Sequence, residues 1–215
     1  SRWGYHSQSI FFLSAPVAHM AGLSLGVNAA LLHGATLILL TATGPEETLQ
    51  TIQRERVTHT FLVPTQAIAV LNSPSLPQYD LSSLEVVGSG AAHVPPELVQ
   101  EMKERLGCKV VNCYGMTEGL ASFTYKDDPH EITAETVGRP LCSGDEYRVV
   151  DAQGKVLPPG QEGELIARGP TICHGYYRAP EQNREAFDTE GFFIYGRYSL
   201  FRLRRKSPDH WQKKG

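Results

Sequence analysis

The sequence has little of several features that would narrow its function at once. Its four cysteines, Cys108, Cys113, Cys142 and Cys173, form no CxxC pair and have no histidine at a spacing typical of zinc. We therefore expect reduced thiols, most of them buried as small hydrophobic side chains, and no metal cage. The formal net charge of −3 gives no overall basic field, which argues against a nucleic-acid partner.

Long hydrophobic runs are also absent. The longest, ATLILLTA at 35–42, is far too short to cross a bilayer, and the first residues show no signal-peptide pattern. We therefore expect no membrane association and a cytoplasmic location. What is present suffices for a core, because 215 residues with 41% hydrophobic content can form one large domain or two small ones.

The first 125 residues alternate between apolar runs of strand length and helical patterns. The predicted strands are IFFLSAP, TLILLT, THTFLVP, LEVVGSG and KVVNCYG. Between them, helices are predicted near residues 23–32, 45–57, 65–72 and 95–107; in the last, Leu98, Met102 and Leu106 share one stripe and Gly107 ends the helix. Such alternation indicates an α/β fold with a mostly parallel sheet.

Beyond residue 135 the pattern changes to short strands between Gly and Pro turns, as in EYRVVDAQGKVLPPGQEGELIARGP at 146–170. DAQG reads as a hairpin turn and PPGQEG as a loop, which indicates a smaller antiparallel β subdomain. We predict an α/β sheet subdomain over 1–130, a small β subdomain over 131–196 and a basic tail over 197–215. The tail has neither strand alternation nor helical period, so we expect no regular structure there.

Two strand ends are candidates for binding a ligand, because ligands of open α/β sheets bind at the carboxyl ends of the strands. The first contains small residues that leave room for a flat ring, Gly88, Ser89, Gly90, Ala91 and Ala92. An isolated GxG is more often a tight turn from strand to helix that binds nothing.

The second strand end is NCYGMTEGLA at 112–121. Tyr114 offers an aromatic face, Thr117 a hydroxyl and Glu118 a carboxylate that could hold Mg²⁺ against a polyphosphate. The alternative is that Thr117 caps a helix and Glu118 is a solvated acid in its first turn.

These stretches resemble the signature sequences of the adenylate-forming enzymes, the superfamily of acyl- and aryl-CoA synthetases, peptide-synthetase adenylation domains and beetle luciferases. The resemblance covers about residues 8–196 and includes, in order, FFLSAPVAHMAGL, THTFLVPTQ, VGSGAAHVPPEL, NCYGMTEG and HGYYRAPEQNREAFDTEGFF. The sequences GMTEGLASFTYKDDP and GYYRAPEQNREAFD are most similar to those of the branch that makes 2,3-dihydroxybenzoyl- or salicyl-adenylate for siderophores.

The resemblance implies a fold, a reaction and a set of site residues. The chain would be an internal part of the family's large N-terminal domain, with ATP and Mg²⁺ as cofactors, a small aryl or acyl carboxylic acid as substrate and a thiol, CoA or a carrier protein, as later acceptor. Thr117 would contact the α-phosphate, Glu118 would hold Mg²⁺ and His19 would lie near the acid's carboxylate. The nucleotide and acid pocket would be lined by Gly88, Ser89, Gly90, Ala91, Ala92, Asn112, Cys113, Tyr114, Gly115 and Met116. Taken without the resemblance, His19 would more often be a hydrogen-bonded core residue.

The chain departs from the family pattern in several places. Met20 stands where the aryl-acid enzymes have an Asn that contacts the ring hydroxyl, which leaves a less polar acid open. Arg197 stands where the family has an Asp that binds the ribose hydroxyls, and Arg has no acceptor for them. The family's phosphate loop would lie before residue 1 and its catalytic Lys after residue 215. We therefore expect a ligase fragment that is inactive by itself; the alternatives are an inactive nucleotide- or acid-binding remnant and a fragment of a general acyl-CoA synthetase.

The tail has a simple candidate origin. Reading the coding bases one nucleotide later from Gly196 permits Gly-Asp at this position and a later Gly-Arg-x-Lys, both of which the family has. We hypothesise that residues 197–215 are out of frame. The competing interpretation is a basic tail that binds nucleic acid or an anionic membrane, but no aromatic interleaving or amphipathic period supports it.

Overall fold

A computed structural model describes residues 2–39 and 44–195, and beyond them the backbone of Arg202–Ser207 and His210–Lys214. The chain divides into two compact units. The first contains Ser1–Cys113 and Thr124–Ala134, and the second contains Tyr114–Phe123 and Glu135–Gly215.

The first unit is built on parallel strands. These are β1 (Ile10–Leu13), β2 (Thr36–Leu39), β3 (His59–Phe61), β4 (Val86–Gly90) and β5 (Lys109–Met116), which continues into the second unit. They lie side by side in the order β2-β1-β3-β4-β5, and every neighbouring pair is parallel. The predicted parallel-sheet α/β unit is confirmed, including the pairing of VVGSG with KVVNC.

Helices connect these strands as predicted. They are α1 (Ala29–His33), α2 (Pro45–Glu55), α3 (Pro64–Leu71) and α4 (Pro96–Leu106). A further helix, α5 (His130–Glu135), lies later in the chain and outside the predicted helices. A short 3₁₀ helix, Leu76–Gln78, follows α3. Helices α2, α3 and α4 each begin with Pro, at a position where a missing N–H costs nothing. Gly107 ends α4 with a φ of 68°, and the side chains of Leu98, Met102 and Leu106 are buried in the core of this unit.

The helix predicted near residues 23–32 is present, but its first part is a π-helix, Gly22–Asn28, that leads into α1. In this π-helix, whose turns are wider than those of an α-helix, two glycines are closely packed against other residues. A Cβ on Gly22 would lie 2.9 Å from the Cα of Val17, and one on Gly26 would lie 2.6 Å from Cδ2 of Leu13. Small residues thus let this segment approach β1 more closely than a regular amphipathic helix would.

A buried histidine lies within the first unit. His59 on β3 is 0% exposed; its Nε2 lies 3.0 Å from the carbonyl oxygen of Trp3, and its Nδ1 lies 2.7 Å from the Thr58 hydroxyl. Because a carbonyl only accepts, Nε2 carries the ring proton. Burial lowers the pKa of His59, while the other ionisable groups around it have smaller effects: Glu85, His6 and Lys126. The Tyr5 ring stacks on the imidazole at 4.7 Å.

The second unit is mainly antiparallel. It contains β6 (Gly119–Phe123), β7 (Arg139–Pro140), β8 (Glu146–Val150), β9 (Glu162–Arg168) and β10 (Phe193–Ile194), with α6 (Pro180–Ala186) before β10. β9 pairs with β8 and β10, and β6 pairs with β7, all antiparallel. The predicted antiparallel β subdomain is confirmed, and the DAQG turn follows β8.

The tail was expected to have no regular structure, and for its described part this expectation was wrong. β11 (Arg202–Ser207) pairs antiparallel with β12 (His210–Lys214) and with β9, where Leu203 is opposite Gly163. The physical reason is the free edge of β9, whose backbone groups accept a further strand whatever its side chains. The remaining tail residues lie outside the described part, and the hypothesis on their reading frame stays a hypothesis.

Strand β2 is the last strand at one side of the sheet among the described residues. Beside it in sequence, α1 leaves two leucines in solvent, Leu31 at 75% and Leu32 at 82% exposure, and Leu39 at the end of β2 is 52% exposed. Within the described part of the chain, no helix has the length and apolar character needed to span a membrane.

Candidate active site

The predicted site residues of the first unit lie at one edge of its sheet. Ser89 is opposite Asn112 and Gly90 is opposite Cys113 in the register of β4 and β5. His19 lies in the connection between β1 and the π-helix. Because β1, β4 and β5 are parallel in this sheet, all these positions follow the carboxyl ends of strands or form them, which is the edge where ligands of such sheets bind.

Gly88, Ser89 and Gly90 are buried and are packed against the protein itself. A Cβ on Gly88 would overlap the Trp3 indole, where even Cζ3 lies only 2.7 Å away. A Cβ on Gly90 would lie 2.9 Å from the carbonyl carbon of Cys113, and the Ser89 hydroxyl donates to the carbonyl of Leu62 at 2.8 Å. These residues therefore shape the end of β4 from within, and their contact with a ligand stays a prediction.

Ala91 and Ala92 are exposed where β4 ends. Ala91 has a φ of 64°, in the left-handed region that residues with a Cβ seldom adopt. A strained residue of this kind at a strand end is typical of a functional turn. This small, open turn is the part of the predicted VGSGAA segment that can be reached from solvent.

Asn112 and Cys113 are buried in β5. The Asn112 backbone N–H donates to Thr124 Oγ1 at 2.9 Å, and its side-chain amide donates to the carbonyl of Thr133 at 3.2 Å. Burial raises the pKa of the Cys113 thiol well above its usual range. The Asn112 side chain thus ties this part of β5 to α5, and the Cys113 thiol stays protonated.

His19 is exposed, so the interpretation as a core histidine is wrong. Its Nδ1 accepts from the backbone N–H of Ala21 at 3.1 Å. Since Nδ1 accepts, Nε2 is the ring nitrogen that is left to donate. Met20 beside it is 39% exposed.

In the second unit, Tyr114 is held by aromatic packing. Its ring is 7% exposed and meets the Tyr195 ring edge to face at a centroid distance of 5.8 Å. Burial, with Tyr195 close by, raises the pKa of Tyr114, so its phenol is neutral. The aromatic face predicted for an adenine is in large part engaged with the core of this unit.

Thr117 and Glu118 form the turn between β5 and β6, so the alternative of a helix start is wrong. Gly115 and Thr117 are exposed, whereas Met116 and Glu118 are half-buried. The carbonyl oxygen of Glu118 accepts from the N–H of Cys173 at 2.8 Å. Hence this turn is tied to a neighbouring segment of its own unit, and Thr117 is exposed in it.

The Glu118 carboxylate has a partner that sequence reasoning missed. Its Oε1 accepts from the Tyr176 hydroxyl at 2.9 Å. Tyr176 lies in the HGYYRAPEQNREAFD stretch, which carried the resemblance but to which no role was assigned. No pattern in the sequence indicates this contact, because the two residues are far apart in the chain.

The donor set fits one mode of Mg²⁺ binding. No three His, Cys, Asp or Glu side chains cluster as metal ligands anywhere in residues 2–39 and 44–195. Mg²⁺ bound with a nucleotide usually takes only one or two carboxylates and completes its shell with water and phosphate oxygens. A half-buried Glu118 with one oxygen engaged by Tyr176 is suited to that role and not to a metal cage.

Comparison with known proteins places these features in a family. The family described as AMP-binding enzyme matches residues 1–177. Pyochelin synthase PchD of Pseudomonas aeruginosa is 40% identical over 194 residues, which are 90% of this chain and 36% of that protein. The 2,3-dihydroxybenzoate-AMP ligase of Bacillus subtilis is 37% identical over 204 residues, which are 94% of this chain and 37% of that protein.

The fold agrees as well. The apo structure of MbtA from Mycobacterium smegmatis superposes with a TM-score of 0.88 at 30% identity, covering 99% of this chain and 39% of that one. The chain thus spans little more than a third of the length of the relatives it matches. With the family match over most of the chain, and with the resemblance noted from its motifs thereby confirmed, the chain belongs to the family of AMP-binding enzymes.

Proposed function

We propose that this chain is the nucleotide- and acid-binding part of an ATP-dependent ligase that converts an aryl or acyl acid and ATP to acyl-AMP and pyrophosphate. A thiol, CoA or a carrier protein, then receives the acyl group. The observation that carries the proposal is the Glu118 carboxylate, held by Tyr176 in the turn that follows β5. The proposal is supported by family membership and by relatives named as AMP ligases.

The chemistry requires charge to be neutralised and an attack to be aligned. The acid's carboxylate attacks the α-phosphate of ATP, so two anions meet in line with the leaving pyrophosphate. Mg²⁺, when bound with the nucleotide, would supply part of that neutralisation. Glu118 would hold the ion, Thr117 would donate from its exposed hydroxyl to an α-phosphate oxygen, and His19 would donate from Nε2 to orient the acid.

We assign an aryl acid as the substrate class. One similar protein, the 2,3-dihydroxybenzoate-AMP ligase, carries a name that contains an aryl acid. Met20, exposed next to His19, offers a thioether in place of an amide. We therefore expect a less hydroxylated ring to be preferred. A fragment of a general acyl-CoA synthetase is the alternative. The free thiols of the described residues fit a cytoplasmic location.

We expect the chain to be inactive by itself. Arg197 stands where the family resemblance implies an acidic residue for the ribose, and Arg has no acceptor for the ribose hydroxyls. Loss of such an interaction removes transition-state stabilisation of about 3 kcal/mol. A chain that binds adenylate without forming it is the second candidate function, and Arg197 is the observation that favours it.

A chimera tests the activity. The matching segment of the Bacillus subtilis ligase is replaced by residues 8–195 of this chain, and acid-dependent ATP–pyrophosphate exchange is measured with 2,3-dihydroxybenzoate, salicylate, benzoate and hexanoate. We expect exchange with an aryl acid, and a loss of about 100-fold with Glu118→Gln. A folded chimera without exchange on any acid, or with exchange that Glu118→Gln leaves unchanged, would refute the proposed function. The unmodified chain serves as the control and should show no exchange.

A further inference from the structure

We propose that Tyr176 is a positioning residue that holds the Glu118 carboxylate in the orientation needed to bind the metal of a metal–nucleotide complex, and that Asn183 fixes Tyr176 for this task. The inference rests on the proposed function, because it assigns a role toward the ion that Glu118 holds there. It concerns residues of the second unit alone.

The first step is the contact between the two side chains. The Tyr176 hydroxyl donates to Glu118 Oε1 at 2.9 Å, a good hydrogen-bond length. With Oε1 engaged by Tyr176, Oε2 is the oxygen that we assign to the metal. Carboxylates that bind metals are commonly held in this way, and loss of the holding group typically lowers metal affinity.

The turn that carries Glu118 is fixed by the same segment. The N–H of Cys173 donates to the Glu118 carbonyl at 2.8 Å. The next residue, Gly119, has a φ of 120°, and a Cβ there would lie 2.9 Å from the Cα of Ile172. Backbone and side chain of Glu118 are therefore both set by the segment 171–176.

Tyr176 is itself held at its backbone. Asn183 Oδ1 accepts from the Tyr176 N–H at 2.7 Å, and Asn183 Nδ2 donates to the Tyr176 carbonyl at 2.9 Å. The amide thus pairs with both polar groups of one residue. Gly175 permits this approach, because it has a φ of 140° and its Cβ would lie 3.1 Å from Asn183 Oδ1.

The last link is helix α6, which carries Asn183. The helix is anchored by Ala186, which is 0% exposed and belongs to the same hydrophobic core as Tyr114. A continuous set of contacts therefore leads from a helix anchored by one buried alanine, through an amide and a phenol, to a carboxylate at the turn. A tyrosine needed only for packing would not require such an arrangement around its polar groups.

The test uses this chain, with Mn²⁺ in complex with a non-hydrolysable ATP analogue as the probe and water-proton relaxation as the readout. Four proteins are compared: wild type, Glu118→Gln, Tyr176→Phe and Tyr177→Phe. Tyr177 is the matched control, since it is 85% exposed and loses the same atom one position along the chain. Binding of the analogue without metal and the thermal midpoint are measured for each.

We expect Tyr176→Phe to weaken binding of the Mn²⁺ complex by about 10-fold, with Tyr177→Phe unchanged and metal-free binding equal in all four proteins. Glu118→Gln weakening the binding of the Mn²⁺ complex, with Tyr176→Phe leaving that binding unchanged or making it tighter, would show that the positioning role is wrong. The proposed function would then stand. If Tyr176→Phe lowers metal-free binding equally, its role is structural and the inference is overturned. If Glu118→Gln binds like the wild type, or the wild type gains nothing from the metal, the proposed function fails and the inference fails with it.

Discussion

Gly88 is expected to be intolerant of any side chain for a reason internal to the protein. Its hydrogen atoms face the indole of Trp3, which is 3% exposed, and a Cβ would overlap that ring. Gly88→Ala therefore forces the indole to move. Overpacking a close-packed interior costs about 1–3 kcal/mol, and loss of a large buried aromatic side chain costs about 3–5 kcal/mol. We expect Gly88→Ala to lower the free energy of unfolding by about 3 kcal/mol.

A double-mutant cycle isolates this cause. Trp3→Leu removes the atoms that a Cβ at position 88 would meet, so Gly88→Ala should cost no more than about 0.5 kcal/mol in that background. The free energy of unfolding is measured by urea denaturation with far-ultraviolet circular dichroism. Gly115→Ala, on a strand like Gly88 but with 3.4 Å to the nearest atom, is the control and should cost less than about 0.5 kcal/mol.

The result that would refute this reasoning is equal destabilisation by Gly88→Ala with and without the indole. Position 88 would then be sensitive because of its backbone and not because of Trp3. A Trp3 fluorescence that does not shift to longer wavelength in Gly88→Ala would point the same way, because the indole would have stayed buried.

Three further results are expected. Burial lowers the folded-state pKa of His59 below its ordinary 6.5. The stabilisation from neutral His59 is therefore full above about pH 6.5 and is lost as the pH falls toward the folded-state pKa. In His59→Gln, the free energies of unfolding in urea at about pH 7.5 and 5.5 should differ less than they do in the wild type. The half-exposed thiols of Cys142 and Cys173 should react quickly with Ellman's reagent and the two buried thiols slowly, and four equal rates would contradict the burial. Gly107→Ala should cost about 1 kcal/mol from backbone strain alone, because φ is 68° and no atom lies within 4 Å of the new Cβ; a thermal midpoint equal to the wild type would contradict this.

Much of the fold could be predicted from the sequence because its signals are local. Pro45 and Pro96 mark helix starts, Gly107 marks a helix end, and the apolar runs between them have strand length. The change to short strands after residue 135 likewise follows from Gly and Pro at turns. These features need no knowledge of what lies across the fold, and the structure has them where the sequence indicates.

Three features that were missed depend on contacts distant in sequence. The hairpin of β11 and β12 exists because β9 has a free edge, and nothing in the tail's own composition signals that. The sequence predicted that Gly88 leaves room for a ligand, but this space is filled by the indole of Trp3, near the start of the sequence. Likewise, the partner of Glu118 could not be inferred, because only the folded second unit brings Tyr176 to it.

Strand β2 has a consequence for how this chain behaves at high concentration. Its four residues, Thr36–Leu39, carry no charge and no proline, and the described chain places no further strand on its outer side. Such an edge is a template on which a strand from another molecule can pair. The exposed leucines of α1 nearby add apolar surface to it. We therefore expect the isolated chain to self-associate through pairing at the β2 edge. The substitution Leu39→Lys is the simplest way to block this pairing.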